Sequence, residues 1–282
     1  MTQSLSTLLN KYNLFPKKGL GQNFLHDPHH LQKIVAAAEL TPADTVLEVG
    51  PGPGTLTRLL AEAAGQVIAV ELDPNMVHLL RQEYGHLPNL TVVHADILAT
   101  DINALLHSLH GAAGGGYKVV ANLPYYITSA AIRHLLETTP PPQRIVVTIQ
   151  KEVAQRIVAE PGDLSLLAVS VQFYGQPTLA HRIPAGAFYP PPKVDSAVVR
   201  IDTYAAPPIT VPGPELFFRV VKAGFGQKRK QLKNTLAAGL QLSTAQVTTG
   251  LNAAGIDPTR RAQSLNLVEW GNLVNALATA LD

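Results

Sequence analysis

The sequence predicts an α/β protein in which a mostly parallel, Rossmann-like sheet is followed by a small all-helical domain. Three observations carry this. From residue 45 to about 150, short β-branched runs alternate with helix-like stretches: TVLEV, QVIAVEL, LTVVHAD, YKVVANL and RIVVTIQ. Strands buried on both faces read as continuous apolar runs, so the rhythm argues for βαβ units. The stretch AAPPITVPGP, residues 205–214, then interrupts both periodicities and reads as a linker. Beyond it only helical periodicity is found. The expected organisation is a domain over 1–204, a linker over 205–214 and a helical domain over 215–282.

Taken in order, Asp27 and Pro28 look like an N-cap and first helical position ahead of HHLQKIVAAAEL. KEVAQRIVAE is predicted helical, LLAVSVQFY strand-like, and VDSAVVRI an alternating strand near the sheet's edge. In the last part, helices are expected from Glu215, around Lys228, from Ser243, and from Asp257 with Pro258 at its start. Gly114 to Gly116 fall in the loop before the fourth strand, where no helix follows to make a phosphate cradle.

At 282 residues and 46% hydrophobic, the chain buries a full core. No window offers the 18 or more apolar residues of a membrane span, and the N-terminus lacks the layout of a signal peptide. The absence of cysteine excludes disulfides and thiolate chemistry, and a cytoplasmic protein is expected. Charge is uneven. Residues 1–214 hold 14 Lys and Arg against 16 Asp and Glu, whereas residues 215–282 hold 8 against 4. That asymmetry suggests a polyanion partner for the C-terminal part, although a solvated helical face would give the same count.

The strand TVLEV runs into Gly50-Pro51-Gly52-Pro53-Gly54 and then a helix. Glycines at such a turn let a ligand approach the backbone, and the helix N-terminus favours an anionic group. An ordinary tight turn would use the same residues. The decisive addition is Glu71, which ends the next strand at the spacing where a carboxylate meets ribose hydroxyls. The turn is not the Gly-x-Gly-x-x-Gly of pyrophosphate-binding folds and no Walker lysine is present, so a phosphate-free nucleoside is preferred. S-adenosylmethionine fits, with its amino-acid end at Gly50 and Gly52, its ribose on Glu71, and its adenine amino group on Asp96.

The fourth strand of this series, in VVANLPYYIT, hands over at Asn122 to an amide, a proline and two tyrosines instead of a turn. Asn122 should therefore sit at the carboxyl edge of the sheet beside the same crevice. Eight segments, KKGLGQNFLHD, VLEVGPGPGTLT, VIAVELD, VVHADIL, VVANLPYYIT, QKEVAQRIVA, FYPPPKVDSAVV and FGQKRKQLKNTL, occur in the order seen in ribosomal RNA adenine N6-dimethyltransferases. From about residue 11 onward the chain resembles that family, and most closely its small-subunit, kasugamycin-resistance type.

The resemblance implies that the Asn122 side-chain carbonyl and the Leu123 main-chain carbonyl accept from the target amino group. Pro124 shapes the turn, and Tyr125 supplies a face for a base pulled from its stack. It further implies Phe188 on the other side of the base, and Asn23 and Leu25 in the segment that closes over the cofactor. Lys222, Lys228, Arg229, Lys230 and Lys233, with Phe225 among them, resemble the basic segment that meets the RNA backbone, with Lys17 and Lys18 extending the track. The implied partner is small-subunit ribosomal RNA within a 30S assembly intermediate, met by a monomer, with no membrane. The alternatives are the large-subunit, macrolide-resistance type and a non-catalytic assembly factor. Tyr126 reads as core. His26, His29 and His30 lack a Cys or carboxylate set at metal-ligand spacing, so a solvated helix start and no metal are expected. Three departures from the family pattern stand out: the shortened EPGDLSLLAV segment, Ala130 in place of Pro, and Gln263 in place of Glu.

Overall fold

The computed structural model describes residues 4–110 and 116–281. Gly114 and Gly115 lie outside them. The chain divides into two compact units, one of residues 1–154 with 177–203, the other of 155–176 with 204–282.

The first unit opens with α1 (Leu5–Lys11) and a short β1 (Phe24–Leu25). It continues through α2 (Pro28–Ala38), β2 (Thr45–Val49), α3 (Thr55–Ala63), β3 (Gln66–Glu71), α4 (Pro74–Tyr84), β4 (Leu90–His94) and α5 (Ile102–His110). Then come β5 (Tyr117–Asn122), α6 (Thr128–Leu136), β6 (Arg144–Gln150) and α7 (Lys151–Ile157). The caps are those the sequence advertises. Asp27 accepts from the His29 and His30 amides with Pro28 following, and Asp73 accepts from the Asn75 amide with Pro74 following.

After α8 (Leu166–Tyr174) the chain forms β7 (Gly175–Ile183), β8 (Phe188–Tyr189) and β9 (Ser196–Thr203). The main sheet has seven strands in the order β4-β3-β2-β5-β6-β9-β7, and β1 pairs with β8 in a ribbon of their own. Strands β4 to β6 of that order are parallel, while β9 runs antiparallel to β6. On one face Val46, Val67, Val120, Val146 and Val198 pack with Leu31, Ile34 and Ala38 of α2 and Leu56 and Leu60 of α3. The Ser196–Ile201 run of β9 is buried except for Arg200, so this strand does not alternate as the sequence suggested. It is second from the edge, and β7 takes the edge with the alternating pattern.

The amino edge of the sheet is closed by ions. Lys118 pairs with Asp44 at 3.0 Å, and Arg144 pairs with Glu39 at 2.7 Å and Asp202 at 2.6 Å. Arg200 joins the same two carboxylates. Burial would push the Asp44 and Asp202 carboxyls up, but their Lys and Arg partners outweigh it and hold both below the usual range.

The second unit contains α9 (Pro214–Gly224), α10 (Leu232–Leu240), α11 (Thr244–Ala253) and α12 (Leu267–Leu281) around Phe217, Leu236, Leu251 and Trp270. Three expectations are corrected here. LLAVSVQFY is the helix α8, capped by Ser165, with Phe173 stacked on Phe217 at 4.4 Å. A short continuous apolar run does not by itself distinguish a strand from a helix. This is also why 155–176 belongs with the second unit. Lys228 lies in a turn between α9 and α10 rather than in a helix, and Asp257–Pro258 opens a turn ahead of a 3-10 segment at Ala262–Ser264. At Asp257 the side chain accepts from the Thr259 amide and hydroxyl, which satisfies the turn without a helix behind it. The shortened EPGD segment is tied to Gln263, whose carbonyl accepts from the Gly162 and Leu164 amides and whose side chain donates to the Gly162 carbonyl.

Candidate active site

Strand order reverses between β2 and β5, and ligands of open α/β sheets sit at the carboxyl ends of strands at such a point. There a cleft is lined by Gly50 and Gly52 after β2, Glu71 ending β3, Asp96 after β4, and Asn122 to Ile127 after β5. Gly50, Gly52 and Gly54 all have φ between 55° and 84°, the left-handed region that favours glycine. A Cβ on Gly52 would stand 2.9 Å from the Phe24 ring, and one on Gly54 2.3 Å from the Tyr84 ring. The turn therefore excludes side chains on both sides and presents backbone to the cleft.

Glu71 is held from its backbone side. One carboxylate oxygen accepts from the Gly52 amide at 3.0 Å and the other from the Asp73 amide at 2.8 Å. Burial pushes its carboxyl up while these amides pull it down. Asp73, which motif reading passed over, anchors the segment that covers the cleft. Its carboxylate takes Lys17 Nζ at 2.8 Å and Gln22 Nε2 at 3.1 Å, and these contacts overcome its burial to hold it below the usual range. Lys17 is thus committed to an ion pair. Asn23 lines the cleft, but the Leu25 side chain lies in the core, 2% exposed, with its carbonyl accepting from the Thr55 hydroxyl.

Asn122 Nδ2 donates to the Asn23 carbonyl at 3.1 Å, which orients the amide and leaves Oδ1 as its acceptor. The Leu123 amide is tied to the Thr148 carbonyl at 3.2 Å. No hydrogen bond among the described residues reaches the Leu123 carbonyl. Pro124 is extended, φ −57° and ψ 134°, and Tyr125 follows with its hydroxyl 2.7 Å from the buried Ser196. Phe188 lines the cleft and is also 97% buried, being 3% exposed in the core cluster under α2. Tyr126 is not core: it is 60% exposed and lines the cleft, because Gly21 of the covering segment lies against its ring. Asp96 accepts from the Leu98 amide at 2.9 Å at the cleft's outer side.

Sequence comparison decides what kind of site this is. A family model described as ribosomal RNA adenine dimethylase matches residues 15–279. The chain belongs to the ribosomal RNA adenine dimethylases. A relative named ribosomal RNA small subunit methyltransferase A, from Dehalococcoides mccartyi strain CBDB1, is 48% identical over 266 residues, covering 94% of this chain and 90% of its own. One of the same name from Alkaliphilus oremlandii is 40% identical, with 97% and 96% covered. Among solved structures, the 23S rRNA methyltransferase ErmE is 29% identical with a TM-score of 0.71, covering 91% of this chain and 100% of its own. A dimethyladenosine transferase from Plasmodium falciparum shares the fold, with a TM-score of 0.74 at 24% identity, covering 91% and 98%.

As a member of this family the dimethylase uses S-adenosylmethionine, and the cleft fits that group. It combines a side-chain-free turn at Gly50 and Gly52 with a fixed carboxylate at Glu71. The strand behind the turn holds Glu48, fully buried, with Oε2 unpartnered and its carboxyl pushed up to about 8 by burial. In the second unit Lys222, Lys228, Arg229 and Lys230 are exposed and Lys233 half-buried; among the described residues none forms an ion pair. Phe225 is turned away from that role, packing on Trp270 at 5.6 Å. Among the described residues no helix is long and apolar enough to cross a membrane.

Proposed function

We propose that this dimethylase converts the N6 amino groups of two adjacent adenosines to dimethylamino groups in the hairpin loop near the 3′ end of small-subunit ribosomal RNA. It acts as a monomer on a 30S assembly intermediate in the cytoplasm. The observation that carries the reading is the orientation of Asn122, whose amide nitrogen is spent on Asn23 and whose oxygen is left to accept. The small-subunit names of the relatives at 40–48% identity favour this substrate over the large-subunit alternative. The free acceptors at Asn122 and Leu123 oppose the non-catalytic one.

An adenine amino nitrogen shares its lone pair with the ring, so attack requires it to become tetrahedral and positively charged. The bound cofactor supplies a methyl group on a sulfonium. In the first transfer Asn122 Oδ1 and the Leu123 carbonyl would accept hydrogen bonds from the two N–H groups, and in the second from the one N–H that remains, stabilising the charge as it develops. Each transfer leaves the thioether S-adenosylhomocysteine and releases one proton to solvent. Tyr125, its hydroxyl fixed on Ser196, and Phe188 hold the base between them. Glu71 would hold the ribose hydroxyls, the glycine turn the amino-acid end, and Asp96 the adenine of the cofactor. No base is needed beforehand, since the amino proton becomes acidic only as charge builds. In-line placement and electrostatics carry the rate. Lys222, Lys228, Arg229, Lys230 and Lys233 meet RNA phosphates, with loop shape selecting the adenosines.

The test is to offer unmethylated small subunits and, separately, large-subunit RNA with labelled cofactor, then map the modified bases. Label confined to two adjacent adenosines near the small-subunit 3′ end is expected. Label on large-subunit RNA instead overturns the reading.

A further inference from the structure

The third histidine near His29 and His30 in sequence is His26, but the fold instead gathers one from 151 residues away. His181 on β7 comes to the start of α2, with its Nε2 2.8 Å from His30 Nδ1. The His29 ring lies 5.3 Å from that of His30 and 5.9 Å from that of His181, centroid to centroid. One ligand nitrogen from each of the three lies within 4.8 Å of the others. Among the described residues no other group of three His, Cys, Asp or Glu side chains gathers its ligand atoms in this way. His29 is exposed and the other two half-buried, so the cluster is open to solvent.

We propose that His29, His30 and His181 bind a divalent transition metal of imidazole preference, such as zinc, and that the metal staples the start of α2 to the edge strand β7. Three neutral imidazoles with one open position are a recognised donor set for zinc, copper or nickel. Zn–N bonds of about 2.0–2.1 Å in tetrahedral geometry separate ligand nitrogens by about 3.3 Å. The His30 and His181 nitrogens therefore part by roughly half an ångström, exchanging their hydrogen bond for the metal, and the exposed His29 swings in. Two features oppose a cation, the positive end of α2 and Lys33 one turn along the helix. The Asp27 carboxylate capping that end acts in the other direction. The open, solvent-facing set is expected to bind far more weakly than a closed thiolate site.

The site is independent of the methyl-transfer reading, and its test does not use activity. The untagged full-length chain is stripped with chelator and titrated with Zn²⁺ alone by calorimetry, then with Co²⁺ followed by visible absorption. One equivalent is expected to bind, with a rise in melting temperature that grows with free metal. Both His29→Ala and His181→Gln, the latter retaining a hydrogen-bonding side chain, should weaken binding at least about tenfold. His107→Ala, on α5, should leave it unchanged. No binding up to about 100 µM Zn²⁺ overturns the proposal. So does wild-type affinity in His181→Gln, or equal loss in His107→Ala.

Discussion

The two ends of the main sheet are built on opposite principles. At the amino edge charges meet charges: Lys118, Arg144 and Arg200 pair with Asp44, Glu39 and Asp202. At the carboxyl edge the polar groups are held from behind and left open in front. Glu71 is gripped by two amides, Asn122 by a carbonyl, and Tyr125 by Ser196, while each still borders the cleft. The difference separates stability from chemistry. One edge satisfies its charges internally, and the other, on the reading proposed above, presents oriented acceptors to a substrate.

The contrast is broken most severely at Asn122. Replacement with Ala should lower methyl transfer by roughly 10²–10³-fold, the scale for losing one preorganised partner of transition-state charge. Cofactor affinity by calorimetry and melting temperature should hardly move, and unchanged turnover would remove Asn122 from the reaction. Glu71→Ala comes next, weakening cofactor binding about 10- to 100-fold, as expected for losing hydrogen bonds to a charged group. Calorimetry that finds no change would take Glu71 off the ribose.

At the other edge Arg144→Ala should do the reverse. Its side chain is 14% exposed and its loss leaves Glu39 and Asp202 with Arg200 as their remaining guanidinium, so a loss of about 1 kcal/mol in urea unfolding is expected at unchanged kcat. A fall in kcat without a fall in stability would erase the distinction between the edges.

An effect seen only as a pH dependence is expected at Glu48, buried one residue before the carboxyl end of β2. With its carboxyl raised from 4.5 to about 8, the folded chain keeps a proton that the unfolded chain releases across that range. This contribution is complete below about 4.5 and is lost as pH rises through about 8. Glu48→Gln, which cannot ionise, should therefore narrow the gap in melting temperature between pH 5.5 and pH 8.5. An unchanged gap would assign the pH dependence to other groups.

Much of the cleft was readable because its signals are local. Glycines at a βα turn, a carboxylate ending the next strand, and an amide ending a buried strand each declare themselves within a few residues. What escaped is non-local or periodicity-blind. Asp73 reads as a helix cap, which it is, and nothing in sequence says that Lys17 and Gln22 also reach it. Ser196 and His181 become partners of Tyr125 and His30 only through strand order. Leu25 carries the right motif but points into the core, since β1 pairs with β8 and turns alternate side chains to opposite sides. The helix α8 was lost because a segment that is apolar on nearly every face, including the exposed Leu166, has no amphipathic period to read.

The small β1–β8 ribbon has a consequence for energetics. It joins Phe24, which lies over Gly52, to the strand bearing Phe188, and neither strand pairs with the main sheet. On the reading proposed above, the cover of one ligand and the wall of the other belong to a single four-residue ribbon. If the cofactor orders that ribbon and thereby strengthens adenosine binding by some factor, the adenosine strengthens cofactor binding by the same factor.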